Sequence, residues 1–140
     1  MADVRKLGPG DEGQVSRAGH LFDKVPRAEA TARFLRETNH HLLIAYEGHE
    51  PAGFVSGVEV THPDKGTEML IYELGVDEAF RRRGIATALL AALRELAIER
   101  GCYGMWVLHD DDNDAARATY ANVTGADEER PVLLNWAFGD

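Results

Sequence analysis

The sequence predicts an α+β (α/β) fold built on one mixed central sheet flanked by helices, and three observations predict it. After a short opening strand come two amphipathic helical patterns, short apolar runs separated by turn signals follow, and a strand, a helix and a strand then succeed one another between Glu68 and Leu108. Strands joined by a tight turn run antiparallel, whereas strands joined by a crossover helix run parallel, so the sheet is mixed.

Val4 to Leu7 reads as a short opening strand. Asp11 and Glu12 begin a helix that carries Val15, Ala18, Leu21 and Phe22 on one face, acidic residues being favourable at a helix N-terminus, and Pro26 breaks it. A second helix over about 27–38 buries Ala30 and Phe34, with Leu35 close to that face. Leu42 to Glu47 and Ala52 to Thr61 are strands joined by the turn Gly48-His49-Glu50-Pro51. Glu68 to Val76 is a central strand by its β-branched and aromatic residues, and Gly75 inside it marks a bulge or a close backbone approach. From Gly84 to Arg100, Ile85, Leu89, Leu93, Leu96 and Ala97 make one apolar helical face that ends at Gly101. Tyr103 to Leu108 is the strand parallel to Glu68–Val76. A helix over about 113–122 and a last strand over Pro131–Phe138 complete the chain.

A length of 140 residues with 44% hydrophobic content fits one domain spanning 1–140. The lone Cys102 rules out an internal disulfide and suggests a reducing, cytoplasmic setting. No apolar run of signal-peptide or membrane-span length occurs, so no membrane association is expected. Fifteen basic against 24 acidic residues give a net charge of −9, which disfavours nucleic acid as a partner and favours a cationic one.

The residues between the central strand and its helix carry the most chemistry. A helix N-terminus presents unpaired N–H groups and the positive end of its dipole, and Gly84 and Ala86 are small enough to let a pyrophosphate reach that backbone. Arg81, Arg82 and Arg83 would add charge-assisted hydrogen bonds. Three consecutive arginines also fit a solvated charge run, but cations oppose the dipole at a helix N-terminus, which tilts the reading toward an anion site. Neither Gly-x-x-x-x-Gly-Lys-Ser/Thr nor Gly-x-Gly-x-x-Gly occurs.

Arg81-Arg82-Arg83-Gly84-Ile85-Ala86 resembles the signature Arg/Gln-x-x-Gly-x-Gly/Ala of the GNAT superfamily of acetyl-CoA-dependent acetyltransferases, and the resemblance extends from the strand Glu68–Val76 to the Asn113–Tyr120 segment. The finer likeness, through Ile71-Tyr72-Glu73-Leu74 and the residues 83–90, is to aminoglycoside 3-N-acetyltransferases. The resemblance implies a GNAT-like sheet and acetyl-CoA as co-substrate. It also implies a bulged strand whose Leu74, Gly75 and Val76 backbone bonds pantetheine, and a turn whose amides over Arg82, Arg83, Gly84, Ile85 and Ala86, with the Thr87 hydroxyl, hold the pyrophosphate. Thr87 could equally be an ordinary helix residue.

Acetylation of an amine needs a base for the ammonium proton and an acid for the departing thiolate. By resemblance, Tyr120 is the acid and Asn113 contacts pantetheine; a buried tyrosine and a helix N-cap are the plainer readings of the same residues. Glu73, a carboxylate in an otherwise apolar strand, is the first candidate for the base, since burial would raise its pKa. Its other reading is a solvent-facing or arginine-paired group. His109-Asp110-Asp111-Asp112-Asn113-Asp114 begins where the parallel strand ends, the place where open α/β sheets gather ligands. Asp110 is the expected substrate carboxylate, also by likeness to an aspartate of the aminoglycoside enzymes, and His109 could relay a proton or be structural.

No metal is expected: Ala115 and Ala121 stand where an EF-hand needs glycine and glutamate, and His40-His41 lacks a third ligand. Thr124-Gly125-Ala126 replaces a Gly-Phe pair usual in the family. The expected acceptor is a small cationic amine, an aminoglycoside first, with polyamines or peptides as alternatives and a non-catalytic CoA-binding module as the reading from another class. The apolar segment 131–138 suggests a homodimer.

Overall fold

Along β2 (His40–Glu47), Leu42, Ile44 and Tyr46 point to one face and Leu43 and Ala45 to the other, and all are buried. A strand covered on both faces reads as a continuous apolar run rather than an alternation, which is why this segment shows none. The structure, a computed structural model, describes residues 2–109, 113–121 and 126–139. Its contacts divide the chain into two units, 1–108 and 109–140.

The first unit opens with β1 (Asp3–Lys6) and α1 (Glu12–Arg17), followed by a 3-10 turn at Gly19–Leu21 and α2 (Ala28–Arg36). β2, β3 (Glu50–His62) and β4 (Gly66–Val76) then lead through a 3-10 turn at Glu78–Phe80 into α3 (Ile85–Glu99) and β5 (Met105–Val107). The five strands lie in the order β1-β2-β3-β4-β5, antiparallel through β4 and parallel between β4 and β5. This is the mixed sheet expected.

Each face of the sheet has its own cover. Leu42, Ile44, Tyr46 and Phe54 pack against Val15, Ala18 and Leu35 of the N-terminal helices. On the other face Ile85, Leu89, Leu90, Leu93 and Ala97 of α3 are buried. Gly57 in β3 lets α3 approach, since a Cβ there would lie 2.9 Å from Leu93 Cδ1 and 2.9 Å from Met69 Sδ. Gly101, at φ 79°, closes α3, with its N–H bonded to the Ile98 carbonyl and the Cys102 N–H to that of Ala97. In α2 the buried residue is Leu35, whereas Ala30 is exposed, because the helix begins at Ala28 and turns its Leu35 side to the core.

At the C-terminal end of α3 a charged group is tied inward. Glu59 Oε2 accepts from Arg100 Nε at 2.7 Å and lies 2.6 Å from His41 Nε2. His41 is 2% exposed and its Nδ1 has no partner among the described residues, so a second ring proton would be a buried, unsatisfied donor. Burial accordingly pushes the His41 pKa down, against the pull of Glu59. Neutral His41 donating to Glu59 satisfies this arrangement.

The second unit contains α4 (Asp114–Ala121). Asn113 caps it, its Oδ1 accepting from the Ala116 N–H at 3.0 Å. Pro131–Phe138, expected as a strand, has no secondary structure, and its large apolar side chains are 67–95% exposed. Apolar composition permits a strand, but only a hydrogen-bonded neighbour makes one, and none is found among the described residues.

Candidate active site

β4 is longer than its neighbour, and that difference opens the sheet. Pairing with β5 runs through Met69–Met105, Leu70–Trp106 and Ile71–Val107 and then stops. From Tyr72 to Val76 the outer edge of β4 has no strand partner among the described residues. Its backbone N–H and C=O groups are therefore available to an extended ligand laid alongside, the manner in which sheets accept an added strand.

The register slips between Ser56 and Gly57 of β3, which pair with Glu73 and Ile71, so the extra residue is Tyr72. The bulge thus lies ahead of Leu74-Gly75-Val76 rather than within it. Gly75 answers a different need: a Cβ there would lie 2.9 Å from Phe54 Cε1 and 3.3 Å from the Leu21 carbonyl. One extra residue also changes facing. Ile71 keeps the α3 side with its partner Gly57, whereas Glu73 turns with its partner Ser56 to the side of α1 and α2, and its N–H bonds the Ser56 hydroxyl.

The turn after β4 is held from several directions. The Asp77 N–H donates to the Ala52 carbonyl at 2.8 Å, and Asp77 Oδ1 caps the 3-10 turn by accepting from Ala79 N–H at 3.0 Å. Arg81 folds back with Nε toward the Val76 carbonyl at 3.4 Å, and Arg83 lies over the Phe80 ring, 5.3 Å from its centroid. Arg82 has φ 64° and Gly84 φ 75°, both left-handed. For arginine that conformation costs about 1–3 kcal/mol, the kind of strain that gathers at binding turns. Residues of this handedness curl successive amides into an anion-binding concavity. Gly84 opens α3 with no side-chain cap and no acidic residue in the first turn, leaving that end electropositive. Ile85 is buried, so only its amide can serve a ligand; Ala86 and Thr87 are half-buried and Gly84 is exposed.

A cleft of about 590 Å³ joins the turn to the loop between α1 and α2. Leu74, Gly75, Val76 and Arg81 line one side, and His20, Leu21, Phe22 and Asp23 the other. His20 Nε2 lies 3.2 Å from the Pro51 carbonyl and 3.3 Å from Asp77 Oδ2, pinning the loop to the start of the turn. Glu73 is exposed rather than buried and has no ion pair among the described residues. Nearby protein atoms still remove enough water to push its carboxyl above the ordinary value, and the charge of Asp23 adds to the rise.

His20, Asp23 and Asp77 went unnoticed in the sequence. Asp23 belongs to a polar loop far from Glu73 along the chain, and no spacing rule links the two. Asp77 alone carried a signal, an aspartate directly before a short turn.

In the second unit, Tyr120 is half-buried on α4, which pushes its phenol pKa up, and its ring stacks on His109 at 5.7 Å and 13°. Asp114 lies 3.7 Å from Arg117, and Asn113 Oδ1 is engaged as the helix cap. Asp110, with Asp111, Asp112, Thr124 and Gly125, lies outside the described residues. No group of three or more His, Cys, Asp and Glu side chains placed to hold a metal occurs among the described residues.

Comparison with known proteins bears on the family and the fold. The family model described as the acetyltransferase (GNAT) family matches residues 14–125. L-2,4-diaminobutyric acid acetyltransferase of Streptomyces coelicolor is 32% identical over 99 residues, which cover 67% of this chain and 57% of that protein. The chain thus matches less than two thirds of that relative's length. Among solved structures, an aminoglycoside acetyltransferase from an uncultured soil metagenomic sample, in complex with sisomicin, superposes with a TM-score of 0.91 at 20% identity, covering 99% of this chain and 97% of the other. AAC(6')-Iy in complex with a bisubstrate analogue, CoA-S-monomethyl-acetylneamine, gives 0.81 at 19% identity, covering 98% and 99%. At such identities these two structures establish the fold.

Proposed function

Because the chain belongs to the GNAT family of acetyltransferases, we propose that it transfers the acetyl group of acetyl-CoA to a primary amine of a small cationic acceptor in the cytoplasm, an aminoglycoside first and at its 3-amino group. The observation that carries this reading is the edge of β4 over 72–76, without a strand partner among the described residues, followed by the turn that leads to the uncapped N-terminus of α3. Such an edge suits the amides of pantetheine, and such a helix end suits a pyrophosphate. Acetyl-CoA supplies an activated thioester acyl group.

The chain's own residues supply binding and proton transfer. The backbone of Leu74, Gly75 and Val76 bonds the pantetheine arm, and the amides from Arg82 to Ala86, with Arg81, Arg83 and Thr87 around them, hold the phosphates. Glu73 takes a proton from the acceptor ammonium and frees its lone pair; Asp23, across the cleft, helps hold the cation, and Asp110 is a further carboxylate for it. As the amide C–N bond forms and the thioester C–S bond breaks, Tyr120 gives the thiolate its proton, and the second proton shed by the nitrogen restores the phenol. Its raised pKa keeps it protonated through the neutral range.

A short diamino acid as acceptor is the second reading, favoured by the 32% identity to L-2,4-diaminobutyric acid acetyltransferase. Thiol release from acetyl-CoA, followed with neamine, spermidine, 2,4-diaminobutyrate and a lysine peptide, separates these acceptors, and NMR of the product identifies the acetylated nitrogen. Turnover is expected with neamine, falling about 10²- to 10⁴-fold in Tyr120→Phe with little change in CoA affinity. Release with the peptide alone would refute the small-acceptor reading. The exposed segment 131–138 supports a homodimer, measurable as a doubled mass in light scattering.

A further inference from the structure

On the sheet face that α1 and α2 cover over β2 and β3, the β4–β5 end carries exposed aromatic residues. Met69 and Ile71 are buried on the α3 side, so the alternate residues Glu68 and Leu70, and Trp106 opposite Leu70, share the other face. Trp106 is 38% exposed there, with Leu108 and Tyr103 exposed close by in sequence.

A carboxylate engaged by two neighbours stands on the same face as the indole. Glu68 Oε2 accepts from the Tyr103 hydroxyl at 2.8 Å, and Glu68 Oε1 lies 3.1 Å from His62 Nε2. These two contacts hold the Glu68 pKa below the usual range. An exposed tryptophan serves no core and offers its ring face to a ligand.

Farther along the same face stands Glu73, which feels the charge of Asp23, and neither has an ion pair among the described residues. An apolar ring surface and uncompensated carboxylates on one face match a ligand that combines a ring with ammonium groups. A linear polyamine would engage the carboxylates but offer no flat, C–H-rich face to the indole.

We propose that Trp106 is the stacking platform of the acceptor site and selects amines carried on a saturated, sugar-like ring over linear ones. This rests on the acetyltransferase reading for its consequence in turnover, but not for binding. The test uses the full chain with Trp136→Phe, which leaves Trp106 as the only tryptophan. Neamine should change Trp106 emission saturably, and spermidine should not. Trp106→Ala should raise the ratio of the neamine KM to the spermidine KM about three- to tenfold, the range expected for one aromatic contact, and Trp106→Phe should restore part of it. Circular dichroism checks that both variants fold, while the emission titration needs neither. Saturable emission change without thiol release from any amine would keep the platform and refute the acetyl transfer. Emission indifferent to neamine, or an equal KM rise for both amines, would overturn the platform.

Discussion

A carboxylate acts as a base near neutral pH only if its surroundings disfavour the charge, and Glu73 meets that condition by half-measures. It is exposed, yet desolvation and then Asp23 raise its pKa above the ordinary 4.5. As a base it works ionised, so kcat/KM should fall as pH drops through this raised pKa, at a higher pH than an isolated glutamate would give. Asp23→Asn removes one cause of the rise and should move that limb to lower pH; a limb that stays put would separate Asp23 from the base. A carboxyl whose folded pKa is raised makes folding less favourable once it ionises, so Glu73→Gln should leave the melting temperature at pH 7 equal or higher while turnover collapses. Its chemistry was legible in the sequence as a carboxylate in an apolar strand. Its facing was not, because the extra residue at Tyr72 inverts the alternation and a bulge leaves no mark in composition.

At the scale of the element, the turn from Val76 to Ile85 was legible because its requirements are local: small residues, basic residues and a helix start follow one another along the chain. The reasons for its two glycines differ, and substitution should tell them apart. Around Gly84 a Cβ would meet nothing within 4 Å, so Gly84→Ala should cost about 1–2 kcal/mol for its left-handed φ of 75° and stay folded. Because that methyl group would stand at the anion-binding end of α3, CoA affinity should fall at least tenfold by calorimetry. Gly75→Ala would meet the Phe54 ring and the Leu21 carbonyl, so its main effect should be a lower melting temperature, about 1–3 kcal/mol of overpacking. If the two variants behaved alike, the turn would be merely a structural link. The close approach at Gly75 could be suspected from its place in a strand, but its cause, the Phe54 ring packed on Phe22, depends on long-range pairing.

Across the whole molecule, the mixed sheet and the parallel β4–β5 pair followed from the chain because connection lengths constrain topology. The cleft between the β4 edge and the α1–α2 loop did not, since it joins His20 and Asp23 to residues that only folding brings near. The C-terminal segment was misread for a related reason: its apolar residues fit a strand, but the pairing partner that would make it one is not written in the segment itself. The central claim is that the free edge of β4 and the first turn of α3 form one CoA site, and thermal unfolding with ligands tests it most directly. At a hundredfold excess over its Kd, CoA should raise the melting temperature on the order of 10 °C, from about 2.7 kcal/mol of linkage, while ATP and NAD do little. No shift with CoA, or equal shifts with all three, would contradict it.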